Sequence, residues 1–245
     1  MMMRGIDVSN WDAGFSIPER VDFCIVKATQ GITFFDSHCE GFIGQCKKKG
    51  ILFGFYHYLD GNDPERQAAF FAEKTKQWNL QGIPVVDVEY EKIPDFGEWT
   101  QRFVDKYHAI TTVYPVIYCS ASRCMDFCGY PLVDNCGLWV AGYPSNREWE
   151  FGESPEFVYD VNPWPFCAMW QFTDNGWFEH FDSPIDMDLA YMDAHAWSLY
   201  ANPMQGSLDE TVAMPTPVPS PQPDKANGKT YSFDNSVVHV DVTIK

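Results

Sequence analysis

The chain has 245 residues, with 34 acidic side chains against 17 basic ones and a net charge of −17. Apolar residues make up 45% and aromatics 16%, enough for one large buried core and too much for a wholly disordered chain. A balance this acidic excludes a nucleic-acid surface, which needs a surplus of Lys and Arg, and no run approaches the roughly 20 apolar residues of a membrane span.

Taken in order, residues 4–9 read as a first strand and 22–27 as a second. Residues 38–49 read as a helix ending in Lys47-Lys48-Lys49-Gly50, a basic last turn followed by a glycine stop. The third strand, 51–58, leads to a helix over 64–78 with Asp63 as N-cap and Pro64 at the first helical position. A fourth strand over 84–89 and a helix over 98–111 come next. Strands at 116–119, 138–141, 168–172 and 185–189 complete the set. Eight strands with helices mainly between the early ones predict an α/β fold, a (β/α) barrel whose later helices are short or absent.

Composition shifts near residue 203. From Pro215 to Pro223 every second residue is proline, which builds neither helix nor sheet and makes a stiff, extended spacer. Beyond it Val238, Val240, Val242 and Ile244 alternate with polar residues, the pattern of one half-buried strand. The expected division is a barrel over 1–205, a proline-rich linker over 206–228 and an accessory strand tail over 229–245. A lone strand needs a partner, so the tail pairs with the barrel, pairs between copies to make a homo-oligomer, or belongs to a truncated wall-binding module, the alternative being a disordered end.

The eight cysteines contain no Cys-x-x-Cys pair, and the spacings among Cys119, Cys124, Cys128 and Cys136 are not those of zinc knuckles or ribbons. Reduced, mostly buried thiols are expected, with no metal and no cofactor. The N-terminus runs into a strand with no charged-then-apolar leader, so synthesis in the cytoplasm without a signal peptide is expected.

In a barrel of this kind, function sits at the carboxyl ends of the strands, and there the chain places acids. Strand one ends Gly5-Ile6-Asp7-Val8-Ser9, strand four Val85-Val86-Asp87-Val88-Glu89, and strand eight carries Ile185-Asp186-Met187-Asp188-Leu189. Side chains alternate along a strand, so Asp87 and Glu89 are expected on one face, each raising the other's pKa. That pairing suits acid catalysis, one carboxyl protonated as donor and the other ionised beside it. An isolated Asp-x-Glu is more often an ion-pair acceptor. Further acids at strands one and eight, neighbours in a closed barrel, tip the balance towards a site.

These residues carry a resemblance. Gly5-Ile6-Asp7-Val8-Ser9-Asn10-Trp11, Val26-Lys27-Ala28-Thr29-Gln30-Gly31, Gly54-Phe55-Tyr56-His57-Tyr58, Asp87-Val88-Glu89, Ile117-Tyr118, Leu138-Trp139-Val140-Ala141-Gly142-Tyr143, Trp170-Gln171-Phe172 and Ile185-Asp186 resemble, in order, the motifs of the glycoside hydrolase family 25 lysozymes. The likeness spans 4 to about 197. It implies a flattened (β/α)5(β)3 barrel and a muramidase that cuts the β-1,4 bond between N-acetylmuramic acid and N-acetylglucosamine in bacterial peptidoglycan. By motif, Glu89 resembles the general acid, and Asp87 the residue steadying a substrate acetamide that acts as internal nucleophile. Asp7 and Asp186 complete the acidic mouth, with Asp186 preferred to Asp188 as the mouth residue. Asn10 stands where many members have His, and Gln30 where many have Glu.

Around this core, Tyr56, Tyr118, Trp139, Tyr143 and Gln171 are the expected substrate contacts. Tyr56 either bonds a carboxylate at the mouth or is a core tyrosine with its hydroxyl satisfied, Trp139 and Tyr143 frame a strand end to stack on sugar unless Trp139 is only core, and Gln171 is a candidate for bonding the substrate. His57, on the opposite strand face from Tyr56, is expected to be structural, and Trp11 a packing residue. Peptidoglycan is the expected partner, reached after release of the protein from the cytoplasm as in a phage endolysin. A muramidase effector delivered by a bacterial secretion system and a catalytically silent wall-glycan binder are the competing readings.

Overall fold

The computed structural model describes residues 2–207; the proline-rich run and the strand-like tail lie outside the described residues. Ten strands and five α-helices follow in chain order. They are β1 (Met3–Val8), β2 (Phe23–Gln30), β3 (Phe34–Phe35), α1 (Cys39–Lys49), β4 (Leu52–Tyr58), α2 (Pro64–Thr75), β5 (Ile83–Asp87) and α3 (Phe96–Thr111), then β6 (Val116–Ser120), α4 (Leu132–Asn135), β7 (Leu138–Ala141), β8 (Trp149–Glu150), β9 (Met169–Trp177), β10 (Ile185–Ala190) and α5 (Ala194–Ala201).

Eight of the strands close a ring in the order β1-β2-β4-β5-β6-β7-β9-β10, with β10 returning to β1. Every neighbour in it is parallel except β10, which runs antiparallel to both β9 and β1. The eight ring strands are the eight expected from the sequence. The long crossover helices α1, α2 and α3 serve the early strands, whereas β9 and β10 are joined directly, so the barrel is helix-clad on one side and thin on the other. The two-residue strands β3 and β8 are additions outside the ring, pairing with β2 and β9.

Local chemistry sets the helix ends. Asp63 accepts a hydrogen bond from the Arg66 N–H with Pro64 in the first turn, and α1 stops at Gly50, whose φ of 70° is cheap only for glycine. Asp95 caps α3 through the Glu98 N–H, so the helix begins at Phe96, two residues ahead of the expected start.

Strand alternation separates two cores. Outward residues such as Ile6, Val8, Val26, Phe55, Val86 and Ile117 pack beneath the helices in one continuous buried layer. His57 belongs to that layer, bonded to Thr29 Oγ1 (2.8 Å) and Gln67 Oε1 (3.1 Å) and stacked at 5.2 Å on Phe103. Burial pushes its pKa down to about 4, so it is a neutral structural residue, as its parity predicted. Inward residues Phe23, Ile25, Ile83, Val85, Val116, Met169 and Ala190 fill the lower barrel, which α5 plugs with Trp197 against Phe23, ring centroids 5.0 Å apart. Glycine is required at position 5, because a Cβ there would collide with the Phe23 ring.

Candidate active site

One period higher on the same strands, the inward side chains turn polar. Asp7, Lys27, Tyr56, Tyr58, Asp87, Tyr118, Gln171, Asp186 and Asp188 occupy the parity that Phe23, Ile25, Ile83, Val85 and Val116 hold below. Register accounts for the meeting: Asp7 pairs with Asp186 across β1 and β10, and Asp87 with Tyr118 across β5 and β6. The strand expected to reach Glu89 ends at Asp87. The Val88 N–H makes a further rung to Tyr118 O (2.9 Å), and Glu89 then leaves the ladder to stand exposed at the lip. Glu89 still lies close enough to Asp87 to perturb it.

Gln171 organises one wall. Its Nε2 donates to Asp7 Oδ2 (2.7 Å) and Asp186 Oδ2 (3.2 Å). Its Oε1 accepts from the hydroxyls of Tyr118 (2.7 Å) and Tyr143 (2.6 Å). Gln171, expected to bond sugar, is buried and its amide makes four hydrogen bonds, two to aspartates and two from tyrosine hydroxyls. Trp139 is buried beneath the mouth and donates its indole N–H to Asp188 Oδ1 (2.9 Å). Tyr118 is also buried, its hydroxyl committed to Gln171, whereas Tyr143 and Tyr56 remain open in part.

Asp186 and Asp188 share the inward face, at different depths. Asp186 is half-buried at the mouth, and Asp188 is buried under it. Desolvation pushes Asp7, Asp186 and Asp188 well above the ordinary carboxylate range, and their mutual repulsion adds to it. Asp188 Oδ2 is buried without a hydrogen-bond donor, and Asp7 lies close enough to interact with it.

Across the mouth, Asp87 is raised by burial and by Glu89, against the pull of Lys27. Glu89 is raised by partial desolvation, again opposed by Lys27. Asp87 Oδ1 is buried and accepts no hydrogen bond. Tyr56 feels Asp7, Asp87, Asp186 and Glu89 together, which with burial suppresses its ionisation. The mouth therefore holds two carboxyls whose hold on a proton is strengthened by desolvation, Glu89 at an accessible lip and Asp87 beside it with an unused acceptor.

Sequence reasoning passed over one residue here and misplaced another. Lys27 points inward, donates to Gln30 Oε1 (3.1 Å), and has its amine 5.0 Å from the Tyr58 ring and 5.9 Å from those of Tyr56 and Phe34. Its parity with Phe23 and Ile25 was the available signal. Trp11, expected to pack, is 85% exposed instead, because the short turn after β1 leaves its side chain in solvent. The thiols are free, seven buried and Cys128 exposed.

A barrel whose reactive groups are carboxyls gathered at the carboxyl ends of its strands has the equipment of a glycoside hydrolase. The chain belongs to glycosyl hydrolases family 25, whose profile it matches over residues 6–181. It is 25% identical over 195 residues to the N,O-diacetylmuramidase of Chalaropsis sp, covering 70% of this chain and 88% of that one. It is 30% identical over 110 residues to the autolytic lysozyme of Clostridium acetobutylicum, covering 42% of this chain and 34%, about a third, of that protein. Its fold superposes on a muramidase from Acremonium alcalophilum with a TM-score of 0.64 at 26% identity, covering 82% of this chain and 99% of the other.

Proposed function

We propose that the protein hydrolyses the β-1,4 bond between N-acetylmuramic acid and N-acetylglucosamine in bacterial peptidoglycan, with Glu89 as general acid and Asp87 assisting. The proton on Glu89 passes to the glycosidic oxygen as the C1–O bond breaks. The acetamide oxygen of the same sugar closes on C1, giving a cyclic cation. Glu89, now a carboxylate, takes a proton from water as that water opens the ring, which restores the enzyme and retains the anomeric configuration.

The observation that carries this reading is the buried, unpartnered Asp87 Oδ1 beside Glu89. A buried acceptor without a donor is costly, and the N–H of a substrate acetamide is a donor of the right kind. That N–H turns more acidic as the cyclic cation forms, so the contact strengthens as the reaction proceeds. Asp7 and Asp186, held by Gln171, complete the mouth, and Tyr56 and Tyr143 line it. The muramidase names of the Chalaropsis and Acremonium proteins support the substrate class. The site of action is then the bacterial wall.

Clearing of purified cell walls tests the assignment. Glu89→Gln should lower turnover by about 10³-fold, within the usual range for a general acid, while wall binding is retained. Product anomers read by proton NMR should show retention, and inversion sinks the acetamide-assisted route. A wild-type protein that binds walls without clearing them would be a silent glycan binder.

A further inference from the structure

Trp11 is the most exposed large apolar side chain among the described residues. Single exposed aliphatics are ordinary on protein surfaces, but tryptophan is highly buried on average; here Trp78, Trp139, Trp149, Trp164, Trp170 and Trp197 are buried, Trp99 is half-buried, and Trp177 is 37% exposed against 85% for Trp11. The backbone beneath Trp11 is firmly held. The Ser9 side chain accepts from the Trp11 N–H (3.2 Å), and Asp12 closes the turn by accepting from the Ser9 N–H (2.7 Å). The Asn10 N–H donates to the buried Asp36 (2.8 Å), which ties the turn to the segment after β3. A side chain left in water on a clamped backbone is pre-organised for a partner, since little freedom remains to be lost on contact.

The turn also borders the acids. It follows Asp7 directly along the chain, and Asp12 beside Trp11 lies near enough to perturb both Asp7 and Asp186. On the same β1–β2 side of the mouth, Phe34 is 42% exposed, its ring 5.9 Å from the Lys27 amine. A flat apolar ring beside carboxylate acceptors matches a pyranose, which has a C–H face and a hydroxyl edge.

We propose that Trp11 is a stacking platform for an uncharged N-acetylated pyranose of the glycan strand, at a subsite beyond the scissile bond; the proposal rests on the muramidase reading and adds to it a subsite and its ligand. A neutral sugar fits better than an anionic wall polymer, because acids crowd this rim and the chain carries −17. The same charge on each copy opposes self-association through Trp11, and the residues around it, Asn10, Asp12, Ala13 and Gly14, form no apolar patch.

Wild type, Trp11→Ala and Trp11→Phe are compared in clearing of purified walls and in binding of a pentamer of N-acetylglucosamine, followed by tryptophan fluorescence and calorimetry. Trp11→Ala should raise KM and weaken pentamer binding by about three- to tenfold, the range of one aromatic stack, with kcat changed less than about twofold. Trp11→Phe should recover most of the loss. The fluorescence change on pentamer binding should be absent in Trp11→Ala. Unchanged KM and pentamer affinity in Trp11→Ala overturns the platform, as does a fall in kcat at constant KM. A dimer in light scattering that Trp11→Ala dissociates overturns it in favour of a second copy. If wild type clears no wall yet binds the pentamer through Trp11, the platform stands and the hydrolase reading falls; if it does neither, both fall.

Discussion

The lower and upper halves of the barrel interior are built by the same strands with the same alternation, yet they are chemically opposite. Along β5 the inward series is Ile83, Val85, Asp87; along β2 it is Phe23, Ile25, Lys27; along β9 it is Met169, Gln171. Below the change, apolar side chains pack against Trp197 and exclude water. Above it, charged and hydroxyl groups meet round a hydrogen-bonded glutamine. Trp139 and Asp188 form the seam, an indole from the apolar side donating to the deepest acid of the polar side. One residue step of two along a strand thus divides scaffold from site. The scaffold half supplies the stability that lets the other half keep desolvated carboxyls.

Moving the polar layer down by one period should break the comparison most severely. Val85→Asp places a carboxyl where Ile25, Ile83 and Val116 surround it, with no inward donor from those residues. The expected cost is about 3–5 kcal/mol, enough to remove most of the stability of an ordinary domain. Urea unfolding followed by near-ultraviolet circular dichroism measures it. A loss under about 1 kcal/mol would mean that the lower barrel is wetter than its packing implies.

The same division explains what the sequence made legible. All eight ring strands stood out because each is an apolar run bounded by turn residues, and the acids stood out because charge inside such runs is costly. Strands β3 and β8 were missed since two residues carry no period. Parity told which side chains point inward but not how deep they lie, and Trp139 and Gln171, both named as expected substrate contacts, are buried. Depth depends on barrel shear, a property of all the strands together. Trp11 was misread for another reason: beyond a strand end alternation stops, and only the direction of the turn decides whether an indole packs or projects.

Asp188 probes the seam. Its pKa is raised by burial and by Asp186, so the unfolded chain releases this proton more readily than the folded one. The contribution to stability is therefore full below the ordinary value of 3.8 and is lost as pH rises towards the folded value. Asp188→Asn keeps an oxygen to accept from Trp139 Nε1 and removes the titrating group. It should stabilise the protein at pH 7 by on the order of 1–3 kcal/mol, an advantage that vanishes near pH 3. Thermal melts across that interval check it, and destabilisation at pH 7 would show that Asp188 is ionised and paired in the native state.

The smallest expected effect falls on Lys27, the one base whose side chain reaches into the polar layer from a ring strand. Its charge opposes the rise in both Asp87 and Glu89, so replacing it with methionine leaves those carboxyls protonated to higher pH. A proton donor works only while protonated, so the basic limb of the kcat/KM profile should move upward in Lys27→Met, by on the order of half a unit to one unit. Lys27→Arg should hold it near the wild-type position. The packing consequences are modest, because methionine preserves contact with the Tyr56, Tyr58 and Phe34 rings while abolishing the cation that faces them. A limb that stays put while KM rises severalfold would instead make Lys27 a contact for an anionic group of the substrate. The upper barrel would then be divided between Lys27 as the substrate's anchor and the acids as its reagents, rather than acting as one electrostatic unit.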